Sequence, residues 1–325
     1  MSGARPKVVL TRKWPHRVEA ELAEQFDVEL NVDDHPFTFK EFESALKTAD
    51  AICPTVTDRL DGRLFDCIDK RVKMLANYGA GTEHIDIKAA HRNGITVTNT
   101  PDILTEATAE ITIALMLMVA RRASEGEQWI RANKWDGWSP TQMLSTGITG
   151  KTLGLVGMGR IATRVAEIAG HGFNMTIQYF SRSEVPSQKL AGLSVSRVSL
   201  EQLLSTSDFV SIHCPASFET RGLIDSDALD LMSKNSFLIN TARGSIVDEK
   251  ALAYAVKNNS IAGTGLDVYE HEPRIHSDLL KSDRVVLLPH IGSGTIETRE
   301  AMGYRVLENL TAFFAGHSPP NLIHC

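Results

Sequence analysis

Gly157-Met158-Gly159-Arg160-Ile161-Ala162 lies near the middle of this 325-residue chain, and its reading fixes how the rest is organised. Upstream, Lys151 to Val156 reads as a short buried strand through Leu153, Leu155 and Val156; downstream, Arg160 to Ala169 reads as a helix. At such a strand-to-helix junction Gly157 permits a tight turn, Gly159 lets the backbone approach a pyrophosphate, and small Ala162 allows close packing of helix on strand. An anion there meets the unpaired N–H groups of the helix N-terminus. Glycines also serve loops for turn geometry alone. The strand-turn-helix context is what points to a bound dinucleotide.

About 20 residues past such a turn, an Asp or Glu ending the next strand normally holds the ribose hydroxyls. Here the strand is Met175 to Phe180, and Ser181-Arg182-Ser183 follows it. A carboxylate would repel a 2′-phosphate, whereas a hydroxyl and a guanidinium bind one, the latter through a charge-assisted fork. Ser181 and Arg182 therefore predict NADPH/NADP, with NADH as the weaker cofactor; Glu184 is the alternative ribose partner.

Outward from the turn, short apolar runs alternate with helical patterns. Before it, Lys7 to Leu10, Asp50 to Cys53, Val72 to Asn77 and Ile95 to Thr98 read as strands. After it, Phe209 to Ile212, Phe237 to Asn240, Ala262 to Leu266 and Val285 to Leu288 do the same. The alternation predicts two α/β units with parallel sheets. Leu104 to Arg121 is one long apolar helix opening the second unit, able to pack on both units and link them. The amphipathic stretch Ile296 to Ala315 is expected to return to the first. The expected division is a discontinuous substrate-binding domain, 1–102 with 293–325, and an inserted dinucleotide-binding domain, 103–292.

Hydrophobic residues at 42%, charged residues at 23% and a formal net charge of −6 suit a soluble globular protein and argue against a nucleic-acid partner. The four cysteines, Cys53, Cys67, Cys214 and Cys325, form no C-x-x-C pair and no metal-type grouping with histidine, as in a reduced, cytoplasmic protein. No metal is expected. Ile111 to Ala120 is too short to span a bilayer, and the N-terminus lacks an apolar signal core, so no membrane association is expected.

Three strand ends of the second unit are polar: Asn240-Thr-Ala-Arg243-Gly, Asp267-Val-Tyr-Glu-His-Glu272-Pro, and Pro289-His290-Ile-Gly-Ser293. In a parallel α/β sheet those carboxyl ends form the ligand crevice. Together they offer what reduction of a 2-keto acid needs. Arginine holds a carboxylate by paired hydrogen bonds and polarises the adjacent carbonyl. Histidine gives a proton to the oxygen as hydride reaches carbon. A neighbouring carboxylate orients the ring and favours its cation.

With these blocks in order, the chain resembles the D-isomer-specific 2-hydroxyacid dehydrogenases, and within them the NADPH-dependent glyoxylate/hydroxypyruvate reductases. The carriers are Asn77 to Asp86, Asn99 to Glu110, Gly154 to Ala162, His213-Cys-Pro215, Asn240 to Gly244, Gly265 to Pro273 and Pro289 to Ser293. The resemblance implies an α/β fold of two Rossmann-like, doubly wound parallel-sheet domains, the substrate domain flavodoxin-like. It makes Arg243 the substrate binder, His290 the acid/base and Glu272 its partner, and sets the backbone of Ala80 and Gly81 against the substrate carboxylate. Asp267 is expected at the nicotinamide carboxamide. Thr108, Arg160, Ile161, His213, Pro215, Thr220, Thr241, Ala242 and Gly292 match positions lining the cofactor, although His213 could simply end its strand. Trp138 resembles an aromatic that reaches a neighbouring subunit's site, or is a surface or interface tryptophan; a homodimer is implied.

The loop Cys53 to Thr57 lacks Arg and Lys, which disfavours a phosphorylated hydroxy acid, as does the lack of a further regulatory domain. Glu272 disfavours formate, because similar formate enzymes replace that glutamate. Small unphosphorylated 2-keto acids remain, glyoxylate and hydroxypyruvate first, bound in a cleft between the domains. The alternatives are a dehydrogenase for another D-2-hydroxy acid such as D-lactate, or a dinucleotide-sensing corepressor on the same fold.

Overall fold

The computed structural model describes residues 4–66, 69–185 and 192–324, so Cys67 and Cys325 lie outside the described residues. The chain divides into two compact units: Met1–Leu104 with Gly294–Cys325, and Thr105–Ser293.

The first unit holds a five-stranded parallel sheet of β1 (Lys7–Leu10), β2 (Asp27–Glu29), β3 (Ala51–Cys53), β4 (Met74–Ala76) and β5 (Thr96–Thr98). Its order, β2-β1-β3-β4-β5, is the flavodoxin-like winding. All-parallel sheets need cover on both faces, and two apolar clusters supply it. Val9, Ile52, Leu75 and Val97 face one, with Phe42, Leu46 and Phe65; Val8, Leu10, Met74 and Ala76 face the other, with Val18 and Leu22. The helix Ile296–Phe314 brings Met302, Val306, Leu307 and Leu310 into the second cluster. It runs close to the helix His16–Gln25: a Cβ on Gly303 would lie 2.5 Å from Val18 Cγ1.

The second unit holds a seven-stranded parallel sheet of β6 (Thr152–Val156), β7 (Thr176–Phe180), β8 (Val195–Arg197), β9 (Phe209–Ile212), β10 (Phe237–Asn240), β11 (Gly263–Leu266) and β12 (Val285–Leu287). The order β12-β11-β10-β9-β6-β7-β8 is the Rossmann winding with one further strand. The order reverses between β6 and β9, so the crevice at that point is flanked by Gly157 and His213. The apolar helix Thr105–Ala120 packs on β10, β11 and β12 within this unit. Small residues allow the approach: a Cβ on Gly265 would already meet Leu115 Cβ at 3.1 Å.

Two details differ from the sequence reading. β2 and β8 are three-residue edge strands in which only Val28 and Val195 are partly buried, too short to show a period of two. The helix after the glycine turn is α-helical over Arg160–Glu167 and continues as a π-helical turn, Ile168–Gly172. There Gly170 lies so close to Leu193 that an added Cβ would meet its Cδ2 at 2.5 Å.

Candidate active site

Apart from Thr108 on the helix Thr105–Ala120 and Trp138, the site residues of the second unit sit on the loops, or the helix start, that follow the carboxyl ends of β6, β7, β9, β10, β11 and β12. Gly157 has φ +93°, and a Cβ there would fall 2.6 Å from the Cys214 backbone nitrogen. The turn therefore lies directly on the loop after β9, and only glycine fits both the φ and the space. Gly159, by contrast, meets nothing within 4 Å, which leaves the helix N-terminus beside it open. Arg160 is the first residue of that helix, while Ile161 packs against the core.

His213 ends β9 with its N–H donating to Val156 O at 2.8 Å and its Nε2 paired with Ser211 Oγ at 2.9 Å. Burial pushes its pKa down to about 3, so it is a neutral ring at the crevice wall. In the following loop Thr220 Oγ1 donates to Pro215 O at 2.7 Å and accepts from the Ser217 N–H, closing the loop on itself.

At the end of β7, Ser181 donates its hydroxyl to Ser183 O, and Arg182 is exposed. Arg197 ends β8 and donates Nη2 to Ser181 O at 2.8 Å and to Arg182 O at 3.0 Å. A second guanidinium thus stands at this turn. The sequence does not reveal it, because β8 has no readable pattern and the contact spans 16 positions.

β10 delivers Arg243 through a turn braced by Asn240, whose Oδ1 accepts from the Ala242 N–H and whose Nδ2 donates to Arg243 O. Arg243 is half-buried, with Nη1 on Ala242 O at 2.7 Å. Behind it, a Cβ on Gly244 would lie 1.9 Å from the Tyr269 carbonyl carbon. Thr241 Oγ1 meets Thr112 Oγ1 at 2.9 Å, and Thr108 Oγ1 donates to Gly292 O at 3.2 Å, tying the long helix to two of these loops.

His290 has φ +55°, a left-handed conformation uncommon for non-glycine residues though less so for histidine. Three bonds to Asp267 impose it: His290 N–H on Asp267 O at 2.9 Å, Ile291 N–H on Oδ1 at 2.8 Å, and Gly292 N–H on Oδ2 at 2.7 Å. Burial raises the Asp267 pKa, against the pull of those two N–H groups. Both its oxygens face the histidine loop, so the observed work of Asp267 is to shape that loop. Tyr269 adds a bond from its hydroxyl to Leu288 O at 2.7 Å.

Glu272 Oε2 pairs with His290 Nδ1 at 2.8 Å, and its Oε1 accepts from the Tyr269 N–H at 3.1 Å. Burial alone would raise the Glu272 carboxyl. The hydrogen bond and charge of His290, the Tyr269 N–H and the Arg243 charge outweigh that and hold it below the ordinary value. Roughly a third of each side chain stays accessible, 34% for Glu272 and 31% for His290, so a ligand can reach the pair. With Nδ1 committed to the carboxylate, Nε2 is the position that can exchange a proton with a ligand.

Ala80 and Gly81 lie in the other unit, in the loop after β4, where Ala80 O accepts from Asn99 Nδ2 at 2.7 Å. Trp138 is 81% exposed in the segment after the helix Ala123–Arg131. The Cys53 to Thr57 loop has no cation of its own, but Arg12 Nη1 reaches Thr57 Oγ1 at 3.3 Å. That guanidinium is simultaneously forked to Asp34 through Nε and Nη2, which compensates its charge. Among the described residues no group of His, Cys, Asp and Glu can hold a metal ion, and no helix is long and apolar enough to cross a membrane.

A Rossmann-wound unit that presents an arginine and a carboxylate-held histidine at its strand ends defines a dinucleotide-linked oxidoreductase. The sequence profile for the D-isomer specific 2-hydroxyacid dehydrogenase NAD binding domain matches residues 113–292. The chain belongs to the D-isomer specific 2-hydroxyacid dehydrogenase family. It is 42% identical to a glyoxylate reductase of Korarchaeum cryptofilum over 98% of this chain and 96% of that one. Among solved structures, a Thermus thermophilus protein aligns with TM-score 0.90 at 40% identity, covering 98% of this chain and 100% of that one. The NADPH-dependent glyoxylate/hydroxypyruvate reductase of Sinorhizobium meliloti, in complex with NADP and malonate, aligns with TM-score 0.87 at 32% identity, covering 98% and 97%.

Proposed function

We propose that the protein reduces a small unphosphorylated 2-keto acid, glyoxylate or hydroxypyruvate, to the corresponding 2-hydroxy acid using NADPH, as a cytoplasmic homodimer. The observation that carries the reading is the Glu272–His290 pair, 2.8 Å apart, on the same unit as Arg243. The glyoxylate reductase relative and the NADP-bound reductase from Sinorhizobium meliloti support the substrate class and the cofactor.

The chain's residues fit a dinucleotide. The close approach at Gly157 leaves no room for a Cβ, Gly159 stands open, and the helix Arg160–Glu167 turns its N-terminal N–H groups toward them. Ser181, Arg182 and Arg197 would hold the 2′-phosphate, and Thr108, His213, Pro215, Thr220, Thr241, Ala242, Asp267 and Gly292 would line the remainder. When bound, the reduced nicotinamide supplies the hydride.

Every other step belongs to the protein. Arg243 holds the carboxylate of the keto acid and draws electron density toward its carbonyl oxygen. His290 Nε2 gives that oxygen its proton as hydride adds to carbon, and Glu272 stabilises and orients the ring through Nδ1. The amides of Ala80 and Gly81 would hold the substrate carboxylate, and Trp138 would tune glyoxylate against hydroxypyruvate.

The test is loss of NADPH absorbance on a panel of 2-keto acids, repeated with NADH. Wild type is expected to turn over glyoxylate or hydroxypyruvate with a higher kcat/KM for NADPH. His290→Ala should lower kcat by roughly 100- to 10,000-fold and leave NADPH binding intact. Nucleotide binding with no oxidation on any 2-keto acid contradicts the reading and favours a dinucleotide sensor.

A further inference from the structure

Three consecutive carbonyl oxygens after β4 are anchored by side-chain amides. Asn77 Nδ2 donates to Gly79 O and to Gly81 O, each at 2.9 Å. Asn99 Nδ2, just beyond β5, donates to Ala80 O at 2.7 Å. Gly79 O also accepts from the Thr100 N–H at 3.0 Å. Two carbonyls facing one end of the Asn77 carboxamide require that end to be the donor. Its Oδ1 is therefore the acceptor, and His84 Nε2, 2.9 Å away, carries the proton between them.

In a trans peptide the N–H points opposite to the C=O. Anchoring carbonyls 79 and 81 on Asn77 and carbonyl 80 on Asn99 consequently turns the N–H groups of Ala80 and Thr82 away from Asn77 and that of Gly81 away from Asn99. Among the described residues none of these three N–H groups has a hydrogen-bond partner. Convergent, unpaired backbone N–H groups make a concavity for an anion. Asn77 is fully buried, so its bonds are not shared with bulk water.

We infer that Asn77 and Asn99 are positioning residues for the carboxylate of the keto acid. They hold the loop as a preformed cradle of three amides, with Thr82 as the third, and His84 fixes the orientation of the Asn77 amide. The inference rests on the proposed reading that this loop receives the substrate carboxylate. Its role is binding rather than proton or hydride transfer, so loss of either asparagine acts on KM and spares kcat.

The experiment compares wild type, Asn77→Ala and Asn99→Ala by steady-state kinetics with glyoxylate. It adds calorimetric titration of oxalate, which cannot be reduced, into the NADP-loaded protein, and NADPH binding on its own. Each variant is expected to raise the glyoxylate KM and the oxalate Kd by roughly 10- to 100-fold, the range for one charge-assisted hydrogen bond. NADPH affinity and kcat should stay within about threefold, because nothing in the second unit is touched. Asn99 is half-buried and its variant is the safer to fold; if Asn77→Ala does not unfold cooperatively, Asn99→Ala decides alone. A folded variant with unchanged KM and oxalate Kd overturns the positioning role while wild-type turnover leaves the proposed function standing. A wild type that neither turns over a keto acid nor binds oxalate overturns both.

Discussion

The Glu272 carboxylate is held below its ordinary pKa even though burial alone would raise it, so the fold favours its charged form. A carboxyl of that kind contributes stability above its unfolded pKa of about 4.3. The contribution is lost as pH falls through the lower folded value. Glu272→Gln removes the titration. Wild type and variant should therefore differ in denaturation midpoint near neutrality and converge as the pH drops below about 4; a gap that persists at low pH would show that the pair does not set it. The placement of several residues is readable from the sequence alone: Arg243, Glu272 and His290 stand out because three strand ends carry polar groups where strands are otherwise apolar. The part of Asp267 is not readable in that way. Its bonds to Ile291 and Gly292 cross 24 and 25 positions, and no local pattern marks a carboxylate that folds another loop.

At the level of elements, β6 and its turn are legible because the glycine pattern is local and the flanking apolar runs are long enough to show their period. β2 and β8 are not, since three edge residues with a single partly buried valine in each bury too little to leave a signal. The cost of that blind spot is Arg197, the guanidinium holding the carbonyls of Ser181 and Arg182. The turn after β10 offers the sharpest test at this scale. Gly244 lies against the backbone of Tyr269 and Glu270, with an added Cβ 1.9 Å from one carbon and 2.4 Å from the Glu270 nitrogen. Neither contact is a flexible side chain that can step aside. Gly244→Ala should cost about 3 kcal/mol of stability by overpacking. It should also move Arg243, whose loop shares that contact, and lower kcat/KM by roughly 100-fold. Full activity with normal stability would mean that the turn relaxes without shifting the arginine.

Over the whole molecule, each unit owns two apolar clusters that cover both faces of its sheet. The second unit is one continuous stretch, Thr105–Ser293, and has both of its clusters within that stretch. A fragment of those residues should unfold cooperatively by itself, and NADPH at 100 times its Kd should stabilise it by about 2.7 kcal/mol. A fragment that melts without cooperativity, or whose midpoint ignores NADPH, would show that it depends on the rest of the chain. The first unit has no such independence. Its second cluster combines Val8, Leu10, Val18 and Leu22 with Met302, Val306, Leu307 and Leu310. Those two groups are made at opposite ends of synthesis. During translation, which proceeds N-terminal first at about 5–20 residues per second, the strands β1 to β5 emerge early and then wait, with one apolar face covered only by Val18, Leu22 and their neighbours, for roughly 190 further residues. The inserted unit can reach its own fold in that interval. The helix Ile296–Phe314 is thus the last cover fitted, and a nascent chain stalled before it carries a finished nucleotide-binding unit beside a half-sheltered sheet, which is where holdase chaperones are expected to bind.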